Sequence, residues 1–153
     1  MSDPTLTKPP GSPVRQFSVM MQNRAGAMEA LLRLLQGEGI ELLGMSILDS
    51  RDATVARIVV SDPDNTERVF IEKGIPHTTC LLVVVAMRDP SYELQECLRH
   101  LRLAETNVDF SYALLPHPEG KTLVAFHVED HEFGASVLRC AGLTVLCEED
   151  LSR

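Results

Sequence analysis

The chain repeats itself, and the repeat limits what it can fold into more than any other feature. Laying residue 21 on residue 87, an offset of 66, aligns two stretches without a gap: Met28 falls on Leu94, Leu31 on Cys97, Leu32 on Leu98 and Leu35 on Leu101. Two extra residues near Glu105–Thr106 move the offset to 68. Thr54 then falls on Thr122, Asp62 on Asp130, Val69 on Val137 and Gly74 on Gly142. Apolar positions coincide easily, but paired aspartates and paired glycines at the same offset do not. A duplication of this kind means one supersecondary unit built twice.

The first copy can be read element by element. Phe17, Val19 and Met21 alternate within Gln16–Met21, which is strand spacing. Met28, Leu31, Leu32 and Leu35 then follow at i, i+3, i+4 and i+7, an amphipathic helix stopped by Gly37 and Gly39. Ile40–Ser50 and Thr54–Val60 read as a hairpin around Ser50-Arg51-Asp52. Ser61-Asp62-Pro63-Asp64 opens a second helix, with proline in its first turn. That helix carries Val69 and Phe70 inward, ends at Gly74, and gives way to an extended segment over Ile75–Thr79. The order is β-α-β-β-α-β, the ferredoxin-like arrangement, in which two helices cover one face of an antiparallel sheet. The fold class is therefore α+β, two such repeats paired side by side. The domains expected are 15–80 and 81–153, after a mobile tail over 1–14 that holds Pro4, Pro9, Pro10 and Pro13. Leu81–Met87 (LLVVVAM) is apolar at every position, so it calls for cover on both faces. With helices on one face only, the other face is expected to stay open and to drive homodimerisation.

A formal net charge of −8 over 153 residues argues against nucleic acid and against an anionic membrane surface as partners. No apolar run approaches a membrane span, and residues 1–14 lack the apolar core of a signal peptide. The four cysteines, Cys80, Cys97, Cys140 and Cys147, form no Cys-x-x-Cys pair, so reduced thiols in a cytoplasm are expected.

A βαββαβ unit with glycine at its first strand–helix turn resembles the ACT domain. The stretch that carries the resemblance is SVMMQNRAGAMEALLRLLQGEGIELLGMSI, with Asn23-Arg24-Ala25-Gly26 at the turn and Ala25 where that family often has proline. Two units over about residues 15–153 look like a free-standing tandem ACT protein. The resemblance implies a non-catalytic regulatory module, with no catalytic domain attached, binding a small molecule, typically an amino acid, between paired domains. It also implies a metabolic enzyme as a possible regulated partner. The alternative is a ligand-free interaction module on the same scaffold.

The residues at the turn fit such a role physically. Free amides at a helix N-terminus carry partial positive charge and receive a carboxylate readily. Gly26 lets a ligand approach the backbone. The Asn23 side chain can cap the helix, or it can accept from an ammonium group. The expected ligand-binding residues are thus Asn23, Ala25, Gly26, Ala27 and Met28. The equivalent turn of the second repeat is Asp89-Pro90-Ser91-Tyr92. Asp89 and Ser91 remain able to cap or bind, whereas Tyr92 replaces the glycine. Either that repeat has lost its site, or Tyr92 reaches across to shape the first, giving one asymmetric site.

Other chemistry finds less support. His127 and His131 are four apart, but the second falls on a helix start and the first on a strand, so they do not share a helical face and no metal is expected. His77, His100 and His117 have no partner by sequence. No glycine-rich phosphate loop occurs and no cofactor is implied. Cys97 and Cys140 fall on apolar helix faces or edges, where cysteine acts as a small hydrophobe, so no catalytic residue is assigned.

Overall fold

One strand organises the molecule. In the computed structural model, which describes residues 11–22, 25–49, 53–116 and 119–151, a single strand runs from His77 to Met87 through the junction of the two repeats. Its first half closes the first repeat and its second half opens the next. In order, the elements are β1 (Val14–Met21), α1 (Ala27–Gly37), β2 (Leu42–Asp49), β3 (Thr54–Val60), α2 (Pro63–Lys73) and β4 (His77–Met87). They continue with α3 (Pro90–Leu103), β5 (Val108–Ala113), β6 (Thr122–Val128), α4 (His131–Cys140) and β7 (Thr144–Leu146). The sheet order is β2-β3-β1-β4-β6-β5, with β7 also on β4. All strand pairs are antiparallel. β1 pairs with residues 77–82 of β4, and β7 with residues 84–86. The Glu148 amide donates to the Ser12 carbonyl (2.8 Å), so the end of β7 abuts the start of β1.

The recurring residues do the same work in both copies. Asp62 caps α2 by accepting from the Asn65 amide, and Asp130 caps α4 by accepting from the Phe133 amide, each at 3.1 Å. Gly74 and Gly142, at φ 67° and 86°, close those helices in the left-handed conformation. α1 ends the same way at Gly39 (φ 72°). α3 ends at Glu105 (φ 56°), which falls on Gly39 at the offset of 66.

The sheet curls so that the two faces turned away from the helices meet each other. Val14, Leu43, Val59 and Leu82 of the first repeat pack in one buried cluster with Val84, Ala86, Leu114, Leu123 and Ala125 of the second. The edges meet where the Leu115 amide donates to the Leu43 carbonyl (2.9 Å), and Gly44 lies so close to Leu114 that a Cβ there would stand 2.4 Å from its Cδ2. Inside this layer the Tyr112 hydroxyl donates to Gln16 Oε1 (2.7 Å), and Gln16 Nε2 donates to Ser18 Oγ and Cys80 Sγ. Two further clusters fill the space under α1 and α2 and under α3 and α4.

The face expected to stay open is therefore covered within the chain. The uniform apolarity of Leu82–Met87 has the same cause. Val83, Val85 and Met87 face the helices, and Leu82, Val84 and Ala86 face the other repeat. Among the described residues one corner of this face in the first repeat stays uncovered, where Met20 and Leu48 both pair with Val55 and are about half exposed, at 48% and 52%. Val14, expected in the tail, is instead the first residue of β1 and is buried.

Candidate ligand-binding site

The two turns that align in sequence differ in structure. α3 starts at Pro90 with Asp89 as N-cap. By the offset, Pro90 corresponds to Arg24, yet α1 starts only at Ala27. The cause is Gly26, which sits at φ 87° as the N-cap of α1. That conformation is incompatible with a right-handed helix, so α1 begins about one turn later than α3.

As at any helix start, the first amides of α1 lack partners within the helix. No side chain caps α1 among the described residues, and its first helical hydrogen bond runs from the Ala30 amide to the Gly26 carbonyl (2.9 Å). The amides of Ala27, Met28 and Glu29 precede that bond and have no acceptor in the helix. In the second repeat a side chain folds back onto the backbone just before the helix. Glu93 Oε2 accepts from the amides of Arg88 (2.7 Å) and Asp89 (2.8 Å). Glu93 aligns with Ala27, which offers no carboxylate.

Beside the start of α1 lies an open cavity of about 270 Å3. The end of β1 (Val19–Gln22), one side of α1 (Ala27, Ala30, Leu31 and Leu34) and Ile75 line it. Among the described residues its lining contains no charged residue, and Gln22 supplies the one polar side chain. Glu29 and Arg33, on the exposed side of α1, pair with each other.

The expected site residues thus fall into two places. Ala25 and Gly26 are exposed in the turn just before the helix, Ala27 lines the cavity, and Met28 is half-buried against the core. Asn23 lies outside the described residues. Asp89, Ser91 and Tyr92 lie at the other end of β4, since β1 ends beside Pro76–His77 and α3 follows Met87. Eleven residues of strand, at roughly 3.3 Å each, separate the two turns by about 35 Å. Tyr92 is 61% exposed and does not reach the first turn. The cavity is built wholly from the first repeat rather than between the two. Leu34, Ala30 and Ile75 were not anticipated. The helical spacing of Ala27, Ala30 and Leu34 was the available signal.

The other candidates have structural roles. His127 Nδ1 lies 2.8 Å from Asp109 Oδ2, with its ring stacked on Phe110. Phe110 in turn sits under the Arg57 guanidinium, 3.7 Å from its ring centre. His131 Nε2 contacts the Leu82 carbonyl (3.0 Å). Burial, followed by the Glu93 carboxylate, pushes the Cys97 thiol up to about 11. The Cys147 thiol is also pushed up to about 11, first by its hydrogen bond to Asp150 and then by burial. Such thiols stay protonated near neutral pH and are weak nucleophiles. Among the described residues no helix is long and apolar enough to cross a membrane.

Among curated proteins, no sequence matches this chain. Among solved structures, protein BT0572 from Bacteroides thetaiotaomicron superposes with a TM-score of 0.84 at 19% identity, over 94% of this chain and 98% of that one. The ligand-free regulatory subunit of aspartate kinase from Thermus thermophilus gives 0.56 at 10% identity, over 86% and 93% of the two chains. The aspartokinase alpha and beta subunits give 0.53 at 17%, over 86% and 93%. These likenesses establish a shared fold. The family of ACT domain pairs matches residues 12–153. With its duplicated βαββαβ topology, the chain belongs to the ACT domain pair family.

Proposed function

We propose that this protein is a non-catalytic regulatory module, cytoplasmic, that binds a free amino acid at the start of α1. One observation carries the reading. Gly26 sets α1 back by about a turn, and among the described residues no side chain caps its first amides, which start beside an apolar cavity, whereas in the second repeat the Glu93 carboxylate folds back onto the amides of Arg88 and Asp89 just before α3. A ligand carboxylate would take the amides of Ala27–Glu29, with the positive end of the helix dipole behind them. Gly26 and Ala25 would border it. Asn23 is the candidate acceptor for the ammonium group, and the second turn, Asp89 to Tyr92, stays empty of ligand. The similarity to regulatory subunits of aspartate kinase supports regulation of a separate metabolic enzyme as the purpose of binding.

Ala27→Glu tests the reading, because it puts a carboxylate on the first residue of α1, in the space a ligand carboxylate would take. A carboxylate in the first helical turn favours the fold, so the variant should remain folded while ligand binding is lost. In a thermal-shift screen against the common amino acids at millimolar concentration, the native chain should be stabilised by one or a few of them. A ligand at about 100 times its dissociation constant adds roughly 2.7 kcal/mol, or several degrees for a chain of this length. Equal shifts in Ala27→Glu would contradict the assignment.

A second reading is favoured by the exposed corner of Met20, Val55 and Leu48, which continues the buried inter-repeat layer. A homodimer or a regulated enzyme seated there would use the scaffold without a ligand. Leu48→Glu should then abolish association in sedimentation velocity and leave any amino-acid response intact.

A further inference from the structure

We propose that the α1 site selects amino acids with an uncharged aliphatic or thioether side chain, of the size of valine, leucine, isoleucine or methionine. The inference rests on the binding function proposed above and concerns the ligand's side chain, which that function leaves open.

The argument starts from what the cavity can solvate. The amides of Ala27–Glu29 address a carboxylate, and Ala27, the first of them, lines the cavity. A ligand anchored there directs the rest of its length along α1, past Ala30 and Leu34 on one side and past Val19 and Ile75 on the other. None of these four carries a hydrogen-bonding side chain. A charged ligand side chain packed against these four residues would lose water and find no counter-charge among the described lining residues. Such transfer is strongly unfavourable and lowers affinity by more than about 100-fold relative to an isosteric apolar group. An apolar side chain gains instead, by roughly a factor of four for each methylene buried. Glycine and alanine therefore bind weakly, because they leave the space unfilled.

Size points the same way. At about 270 Å3 the cavity falls just below the range of roughly 300–1,000 Å3 that holds drug-sized molecules. It suits one amino acid and excludes a nucleotide. Two small residues, Ala27 and Ala30, keep it open. They lie three apart on one side of α1, and a longer side chain at either would enter the space. The second repeat has Glu93 and Glu96 at the equivalent positions, so its helix presents carboxylates where the first presents methyl groups.

The test is isothermal titration calorimetry of the full chain with L-leucine, L-isoleucine, L-valine and L-methionine, against glycine, L-alanine, L-aspartate, L-lysine and L-threonine. Ala30→Leu and Ala27→Glu are run beside the native chain, with circular dichroism to check folding. Leucine in a helix is well tolerated, so Ala30→Leu should fold while the cavity shortens. The expected result is binding by the four apolar ligands at least tenfold tighter than by alanine or threonine, and none detected for aspartate or lysine. In Ala30→Leu, leucine and methionine should weaken by tenfold or more, and valine by less. Tightest binding by a charged or hydroxylated amino acid, lost in Ala27→Glu, would overturn the side-chain inference and leave the binding function standing. Binding by none of the nine would overturn both.

Discussion

Glu105→Gly should stabilise this protein. Four helices end with a residue whose amide donates three residues back, followed by one whose amide donates five back, as with Gly74 to Ile71 and Ile75 to Phe70. In three of them the residue in the left-handed region is glycine: Gly39, Gly74 and Gly142. In α3 it is Glu105, at φ 56°. An L-residue there costs roughly 1–2 kcal/mol from the Cβ–carbonyl clash. Glycine relieves it but adds about 0.5–1 kcal/mol of unfolded-chain entropy. The net gain expected is about 0.5–1 kcal/mol. For a chain of this length that raises Tm by roughly 1–4 °C. Glu105 also lines an acidic cleft with Glu129, Asp130 and Glu132, so losing its charge stabilises as well. Glu105→Gln separates the terms, since it removes the charge and keeps the Cβ. Thermal and urea unfolding of the three proteins measures both. If Glu105→Gly is no more stable than Glu105→Gln, the conformational argument fails.

Two further perturbations probe the core. Tyr112→Phe leaves the buried Gln16 carbonyl oxygen without its donor and should cost about 1–2 kcal/mol in urea unfolding. A loss below a few tenths would mean that the bond across the two sheet faces contributes little. Cys97 makes stability fall in alkali. Its unfolded thiol releases a proton near the ordinary value of 9.0, and its folded one at about 11. Between those values the unfolded state binds fewer protons, so stability is full below pH 9 and falls as pH rises towards 11, by about 2–3 kcal/mol. Cys97→Ala should lessen that fall, to which the Cys147 thiol also contributes, and an unchanged slope would place the alkaline transition elsewhere.

How far the sequence reveals this structure depends on the range of the interactions involved. The paired aspartates and glycines act within one turn of chain, so their roles as helix caps and stops could be read directly. The fusion at β4 could also have been read, because His77–Met87 contains no glycine, proline, asparagine or aspartate to break a strand. The curl of the sheet could not. It depends on contacts such as Gln16 with Tyr112 and Leu43 with Leu115, between residues that no local pattern relates. At the site, the importance of Gly26 was legible, but its consequence was not. A gap-free alignment of the two turns implies equal helix starts, and only the backbone shows α1 beginning a turn late. The fold-back of Glu93 was hidden for the same reason, since a glutamate in a first helical turn is ordinary.

The central claim is that ligand meets this chain at the start of α1 and nowhere near the start of α3. Titrating L-leucine into uniformly 15N-labelled protein and following the assigned amide resonances tests it most directly. The account predicts that Ala27, Met28 and Glu29 shift furthest, with Leu34 and Ile75 moving in step, while Arg88–Glu93 stay in place. Saturable shifts centred on Arg88–Glu93, or on residues between the two sheets, would contradict it.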